Sequence, residues 1–178
     1  MATTTKHTHK KRVHASDEAA KILAHFEKII VQVGVGKAGN LANFEDKYLP
    51  QVIADVAAIT GQKPNTTTAK QSIAGFKVRE GTVVGVRVTL RGQKMVDFLT
   101  RFTRIVLPRV RDFSGIAATK IDQGGSLNVG VKEQYVFPEI NPERSSNTFS
   151  LGITAVPKIK DRAATVALLE SMAFPFTK

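Results

Sequence analysis

The chain has 178 residues, of which 42% are hydrophobic. It is long enough to bury one hydrophobic core but short for two, so a single domain is expected. Its 26 lysines and arginines exceed its 15 aspartates and glutamates, and the resulting net charge of +11 favours a polyanionic partner such as nucleic acid or an acidic membrane surface. The lack of cysteine excludes disulfides, cysteine-ligated zinc and thiol nucleophiles, and no hydrophobic run approaches the about 20 residues of a membrane span, so no membrane partner is expected.

Residues 1–15 are predicted to form a basic flexible arm, and residues 16–178 a single domain. The arm lacks the apolar block of a secretory signal, so the cytoplasm is the expected location. His7, His9 and His14 could converge on a metal ion. No cysteine or nearby carboxylate completes such a set, and we predict no metal site.

Helix and strand signals follow the arm. Ser16 is a candidate N-cap for a helix over 16–26, and the segment Lys28–Gly34 is predicted to be a strand. Apolar residues at helical spacing predict a helix from Phe44 to Thr60, which Pro50 kinks or restarts.

The middle of the chain, Asn65 to Leu90, predicts two strands separated by the long connection AKQSIAGFKVREG. In the second strand, valines and a leucine alternate with Gly85, Arg87 and Thr89. One face of this strand is therefore expected to pack inside the protein, while the other face is polar and basic.

The remaining elements complete the predicted fold. A helix is expected from Gln93 until Pro108 ends it, strands are expected near 128–131 and 148–156, and a last helix begins near Asp161. This order predicts an α+β fold: a single domain with a mostly antiparallel sheet covered by helices on one face, and a long basic loop between two central strands.

The sequence Gly34-Val35-Gly36-Lys37-Ala38-Gly39 matches the GxGxxG pattern of dinucleotide-binding loops. Such a site also needs a parallel second strand that ends in an acidic residue about 20 positions further on. Asp55 instead falls inside a predicted helix. We therefore interpret the segment as a turn and predict no cofactor and no catalytic residue; a nucleotide-binding enzyme that uses this loop is the alternative.

Positive charge is concentrated in the middle of the chain. From Lys63 to Arg111 there are 11 basic residues against two acidic ones. An ordinary solvated surface intersperses both signs, so we predict an RNA-binding domain with a face that follows phosphates. The aromatic run of single-strand RNA readers is absent, which favours recognition of a folded RNA by shape and backbone. A protein that docks on acidic surfaces by electrostatics alone is a further alternative.

Several motifs carry a family resemblance. The segment GQKPNTTTAKQSIAGFKVREG, followed by VRVTLRG, resembles the bacterial-type large-subunit ribosomal protein "L five" family, the 5S rRNA-binding family. The resemblance runs from Lys28 to Lys178 and includes the motifs PRVRDF, GVKEQ and FPEI and the terminal FPF.

The resemblance implies a structural component of the large ribosomal subunit of the cytoplasmic ribosome, not an enzyme. It implies that the sheet face attaches the 5S rRNA in the central protuberance and that the loop over 70–81 contacts the P-site tRNA. Further implied partners are large-subunit rRNA, other large-subunit proteins and a small-subunit ribosomal protein at the intersubunit bridge.

The basic alternating strand and the resemblance together give the predicted site residues, of which Gln62, Thr89 and the loop over 70–81 are carried over by motif. Those predicted to bind 5S rRNA are Gln32, Gln62, Lys63, Arg87, Thr89 and Arg91. Those predicted to contact tRNA are Lys70, Gln71, Ser72, Gly75, Phe76, Lys77 and Arg79. A predicted contact with RNA or with the subunit interface comprises Arg109, Arg111 and Asp112. Two features depart from the family pattern: Gln32 stands where the family typically has Asn, and the N-terminal region is shorter than the family's helical opening.

Overall fold

The computed structural model describes residues 17–40, 43–76, 78–172 and 174–177. The helices are α1 (17–25), α2 (Leu49–Thr60), α3 (Gln93–Arg101), α4 (Leu107–Arg109) and α5 (Arg162–Ser171). The strands are β1 (Phe26–Gly34), β2 (Asn65–Thr68), β3 (Val83–Leu90), β4 (Leu127–Val131) and β5 (Leu151–Pro157). The predicted arm over 1–15 and the candidate N-cap Ser16 lie outside the described residues.

The five strands form one sheet in the order β2-β3-β1-β5-β4, and each neighbouring pair is antiparallel. This confirms the predicted α+β class with an antiparallel sheet. The connection over 69–82 joins β2 to β3, and β2 is an edge strand. The expectation that this connection lies between two central strands is therefore wrong, because strand order depends on pairing between distant segments, which a local pattern does not contain.

Alternation of side chains divides the sheet into a buried face and an open face. Along β1, Ile29, Val31 and Val33 are almost fully buried, and their register partners on β3 and β5 are buried as well. These residues join the apolar sides of the helices in one continuous core. Since successive residues of a strand point to opposite faces, the residues between them form the open face.

Two prolines shape the helical layer in the same way. Pro50 and Pro108 each lie in the first turn of a helix, α2 and α4, and each is preceded by a π-helical turn, Phe44–Tyr48 or Phe102–Val106. In both turns an amide bonds to the carbonyl five residues back, because proline lacks a donor and crowds the turn before it. The restart predicted at Pro50 is confirmed, whereas the helix predicted to end at Pro108 continues to Arg109.

A buried amide organises the segment before β5. The Gln134 side chain is fully buried; its Nε2 donates to the Asn147 carbonyl at 2.7 Å and to Ser145 Oγ at 3.0 Å, and its Oε1 accepts from the Phe149 amide at 3.0 Å. Because that amide is bound by a side chain, the strand predicted from residue 148 begins at Leu151.

Among the described residues, no helix is long and apolar enough to cross a membrane.

Candidate nucleic-acid interface

The register of the strands aligns polar and glycine residues across the open face. One row crosses the whole sheet from edge to edge, since each of its members pairs with the next. This row comprises Asn65, Arg87, Gln32, Gly152 and Gly130. The sheet thus brings together residues that are up to 120 positions apart in the chain.

Arg87 and Gln32 are the two long side chains in this row, and both are exposed. They face each other across β1 and β3, and neither side chain makes a hydrogen bond or an ion pair with another described residue. A guanidinium and an amide are therefore both available to a ligand on the open face. Guanidinium donors match phosphate oxygens, and an amide can both donate and accept hydrogen bonds.

Gln62 and Thr89 meet at one end of the open face. Gln62 Nε2 donates to the Thr89 carbonyl at 3.3 Å, while the Gln62 backbone carbonyl accepts from the Thr60 hydroxyl at 3.1 Å. The half-buried Gln62 is thus attached to β3, and the next residue, Lys63, is exposed. The bond to the Thr89 carbonyl holds Gln62 beside β3, and Lys63 follows in the connection between α2 and β2.

Arg91, another predicted RNA-binding residue, is engaged within the protein. Its Nη1 lies 2.9 Å from Glu27 Oε1, and Lys28 Nζ lies 3.4 Å from the same oxygen. The hydrogen bond from Arg91, reinforced by Lys28, lowers the pKa of the Glu27 carboxyl, so this carboxylate stays ionised and offsets part of the local positive charge. Among the described residues, Arg87 forms no such ion pair.

Two further arginines of the basic middle segment are paired with carboxylates. Arg101 Nη1 lies 2.5 Å from Glu139 Oε1, and Arg104 forms an ion pair with Glu18. Both arginines lie on the helical side of the protein, outside the open face. Part of the positive charge that the sequence concentrates between Lys63 and Arg111 is thus neutralised by acidic residues from distant segments.

The connection over 69–82 projects from the edge strand as a closed loop. At its base the Ala69 amide donates to the Thr82 carbonyl at 2.9 Å, and further along Ile73 and Val78 form a β-bridge. The tip is a 3₁₀ turn, Ala74–Phe76, and Phe76 is 75% exposed.

The predicted tRNA-contacting residues occupy this loop. The exposed ones are Lys70, Gln71, Ser72, Gly75, Phe76 and Arg79. Ser72 Oγ accepts from the Glu80 amide at 2.9 Å, which ties the two sides of the loop together. Lys77 lies outside the described residues.

Arg109, Arg111 and Asp112 lie where the helical layer ends. All three are exposed, and Asp112 has a positive φ of 53°, a backbone conformation that aspartate tolerates better than most residues. None of them belongs to a strand. Arg109 ends α4, and Arg111 and Asp112 lie in the turn that follows it.

A shallow trough runs over the open face and contains a residue that the sequence analysis did not select. Its lining includes Gln32, Gly34, Arg87, Gly130, Lys132 and Gly152. Lys132 is exposed and follows Asn128 and Gly130 at the two-residue spacing of an outward face. That spacing, just after a predicted strand, is the signal by which Lys132 could have been found.

The GxGxxG segment forms a turn, as predicted. The Val35 amide donates to the Val84 carbonyl at 3.0 Å, and Gly36–Asn40 is a 3₁₀ turn. Both neighbours of β1 are antiparallel, whereas a dinucleotide fold needs a parallel strand after the loop. Asp55 accepts a hydrogen bond from Ser145 at 2.6 Å within the protein. The nucleotide-binding alternative therefore loses its structural basis.

Two family models match the chain. The model described as ribosomal protein L5 matches residues 12–79, and the model of the C-terminus of the same ribosomal protein family matches residues 83–176. The two matches meet in the loop before β3.

Curated bacterial relatives match most of the chain. The large ribosomal subunit protein uL5 of Carboxydothermus hydrogenoformans is 43% identical over 152 residues, which cover 85% of this chain and 83% of the relative. The uL5 protein of Pseudothermotoga lettingae is 44% identical over 152 residues, covering 85% of this chain and 81% of the relative. That of Dichelobacter nodosus is 44% identical over 150 residues, covering 84% and 82%. The chain therefore belongs to the ribosomal protein L5 family.

Proposed function

We propose that the open face of the sheet binds 5S rRNA and thereby attaches it to the large ribosomal subunit. As a member of its family, the chain is a structural protein of the large ribosomal subunit in the cytoplasmic ribosome, and it is not an enzyme. The observation that carries the proposal is the pair Arg87 and Gln32, which lie at the middle of the polar row and have no hydrogen-bond or ion-pair partner among the described residues.

The chemistry of the open face suits a folded RNA. Within the five strands, all of which the structure describes, no aromatic side chain lies on the open face, so stacking of single-stranded bases has no platform. Arginine, glutamine, asparagine and threonine side chains can instead reach phosphates, 2′-hydroxyls and base edges. This favours contact with the backbone and groove of a structured RNA.

We assign the loop over 69–82 to the P-site tRNA. It projects from the edge of the sheet, its base is closed by hydrogen bonds, and Phe76 stands exposed at its tip. Lys70 near the base of the loop and Arg79 on its returning side are exposed and add positive charge. An exposed ring with basic neighbours can pack against a ribose or a base while the cations approach phosphates.

We assign Arg109, Arg111 and Asp112 to a contact with large-subunit rRNA or with a small-subunit ribosomal protein at the intersubunit bridge. The support is their exposure at the end of α4 and in the turn that follows it, outside the five strands. Mixed charges on a turn suit a polar contact between proteins.

The decisive experiment is a gel-shift titration of 5S rRNA with the purified chain, with tRNA as competitor and a series of salt concentrations. We expect nanomolar binding that tRNA fails to displace, because specific RNA recognition exceeds the electrostatic background. Weak binding that tRNA displaces equally well would reduce the open face to a generic cationic surface and contradict the proposal.

A further inference from the structure

We propose that two glycines on the open face form a floor on which one sugar–phosphate strand of the RNA lies in direct contact with the sheet, between Arg87 and Lys132. This glycine floor comprises Gly34 and Gly130, which both line the trough. The inference rests on the proposed function and deepens it, because it extends the RNA site across β5 to β4 and adds Lys132.

The fold itself does not require glycine at either position. A Cβ added at Gly34 or at Gly130 would meet no atom within 4 Å, and neither residue has a left-handed backbone. No bulge interrupts the strand pairing at either residue. Glycine inside a strand weakens it, and where no bulge or bend explains the residue it marks a place where a ligand approaches the backbone closely.

Other glycines of the sheet have internal explanations, which makes the contrast informative. A Cβ on Gly85 would lie 2.7 Å from Thr67 Oγ1, so packing within the sheet accounts for that residue. A Cβ on Gly152 would lie 3.2 Å from Gln32 Cγ, so Gly152 leaves space for the amide of Gln32. Gly34 and Gly130 have no such neighbour, and the space above them is left to the ligand.

Charge at the sides of the floor identifies the ligand as a polyanion. Arg87 on β3 and Lys132 after β4 both line the trough and are exposed. Three strand spacings separate them, which is about 14 Å. A sugar–phosphate strand between them would have a cation at each side and the Gln32 amide beneath it.

Single-methyl variants test the floor in the full-length chain. Gly130→Ala and Gly34→Ala are each expected to raise the Kd for 5S rRNA at least tenfold, while the melting temperature stays the same or rises because alanine stabilises a strand better than glycine does. Gly39→Ala is the matched control: its added Cβ has only Thr82 Cγ2 at 4.0 Å, and it lies outside the sheet, so its Kd should stay within twofold of the wild type.

Lys132→Gln tests the side of the trough by a different readout. One lost phosphate contact should reduce the slope of log Kobs against log salt by about 0.9, or about 0.7 if the RNA is single-stranded. An unchanged slope would overturn the assignment of Lys132.

The outcomes distinguish the two levels of the proposal. If the wild type binds 5S rRNA selectively and both glycine variants stay within twofold of it, the glycine floor is wrong and the proposed function stands. If the wild type itself does not prefer 5S rRNA to tRNA, the proposed function fails, and this inference fails with it.

Discussion

Removal of a positive side chain and removal of a negative side chain from the open face should change the affinity for 5S rRNA in opposite directions. Arg87 has no partner among the described residues, so Arg87→Gln removes a cation available to phosphate. We expect a Kd for 5S rRNA about tenfold higher at 0.1 M salt, which corresponds to about 1.4 kcal/mol and is typical of one hydrogen bond to a charged group. The loss of one contact should also reduce the salt slope by about 0.9.

Glu27→Gln should act in the opposite direction. The Glu27 carboxylate accepts from Arg91 and Lys28, and its lowered pKa keeps it ionised at neutral pH. Its removal frees both cations and takes a negative charge from the edge of the site. We expect binding about threefold tighter than that of the wild type at low salt. This factor is roughly what one additional phosphate contact contributes when the salt concentration changes fourfold.

Both variants are measured by gel shift over 50–200 mM salt, with thermal unfolding as the check on folding. Arg104→Gln is the matched control, because it removes an exposed arginine from the helical side, where Arg104 pairs with Glu18. Binding by this control should stay within twofold of the wild type. The reasoning is refuted if Arg87→Gln leaves both affinity and slope unchanged, or if Glu27→Gln weakens binding.

Three other changes probe stability and the loop. Gln134→Ala leaves the Phe149 amide without its buried acceptor, whereas the Asn147 carbonyl still accepts from Gln51 Nε2 at 3.0 Å. Chemical denaturation should show that the free energy of unfolding falls by about 1–3 kcal/mol, and a loss below about 0.5 kcal/mol would contradict this role. Phe76→Ala removes an exposed ring, so the melting temperature and the affinity for 5S rRNA should stay unchanged. The position of the P-site tRNA should change, which chemical footprinting on ribosomes would show. Weaker binding of 5S rRNA would contradict the assignment of the two RNAs to separate surfaces. Burial lowers the pKa of His25, and nearby Asp161 opposes this shift only in part. As the pH falls through about 6.5, the unfolded chain therefore binds more protons at this residue than the native protein does. The native state consequently loses stability in that pH range. The melting temperature of His25→Gln should therefore depend less on pH just below 6.5 than that of the wild type, and an equal dependence would count against the burial of His25 as the cause.

The elements with strong local patterns were predicted correctly. The alternation in β3, the helical spacing before Gly61 and the start of the last helix near Asp161 each depend on neighbours within a few residues, and the structure has each of them. Element ends were less accurate. Pro108 stays inside helical structure because a π-helical turn accommodates it, and β5 starts late because the Phe149 amide is bound by Gln134.

The candidate site was predicted only in part. Arg87 and Thr89 follow directly from the period of their own strand, whereas the engagement of Arg91 by Glu27 joins residues 64 positions apart. Lys132 and the glycine floor were missed for the same reason. Lys132 and Gly130 come near Gln32 only through the pairing of β4 with β5 and of β5 with β1.

By itself, the sequence determined the α+β class, the polarity of each strand face, the positive charge and, through its ordered motifs, the family. These properties depend on composition or on residues that are close together in the chain, so they do not require the tertiary contacts to be known. Only the tertiary structure decided which cations remain free, that β2 is an edge strand, and which glycines lie beside Gln32. Those properties depend on contacts between segments far apart in the chain, and such contacts become defined only when the strands pair and the hydrophobic core closes.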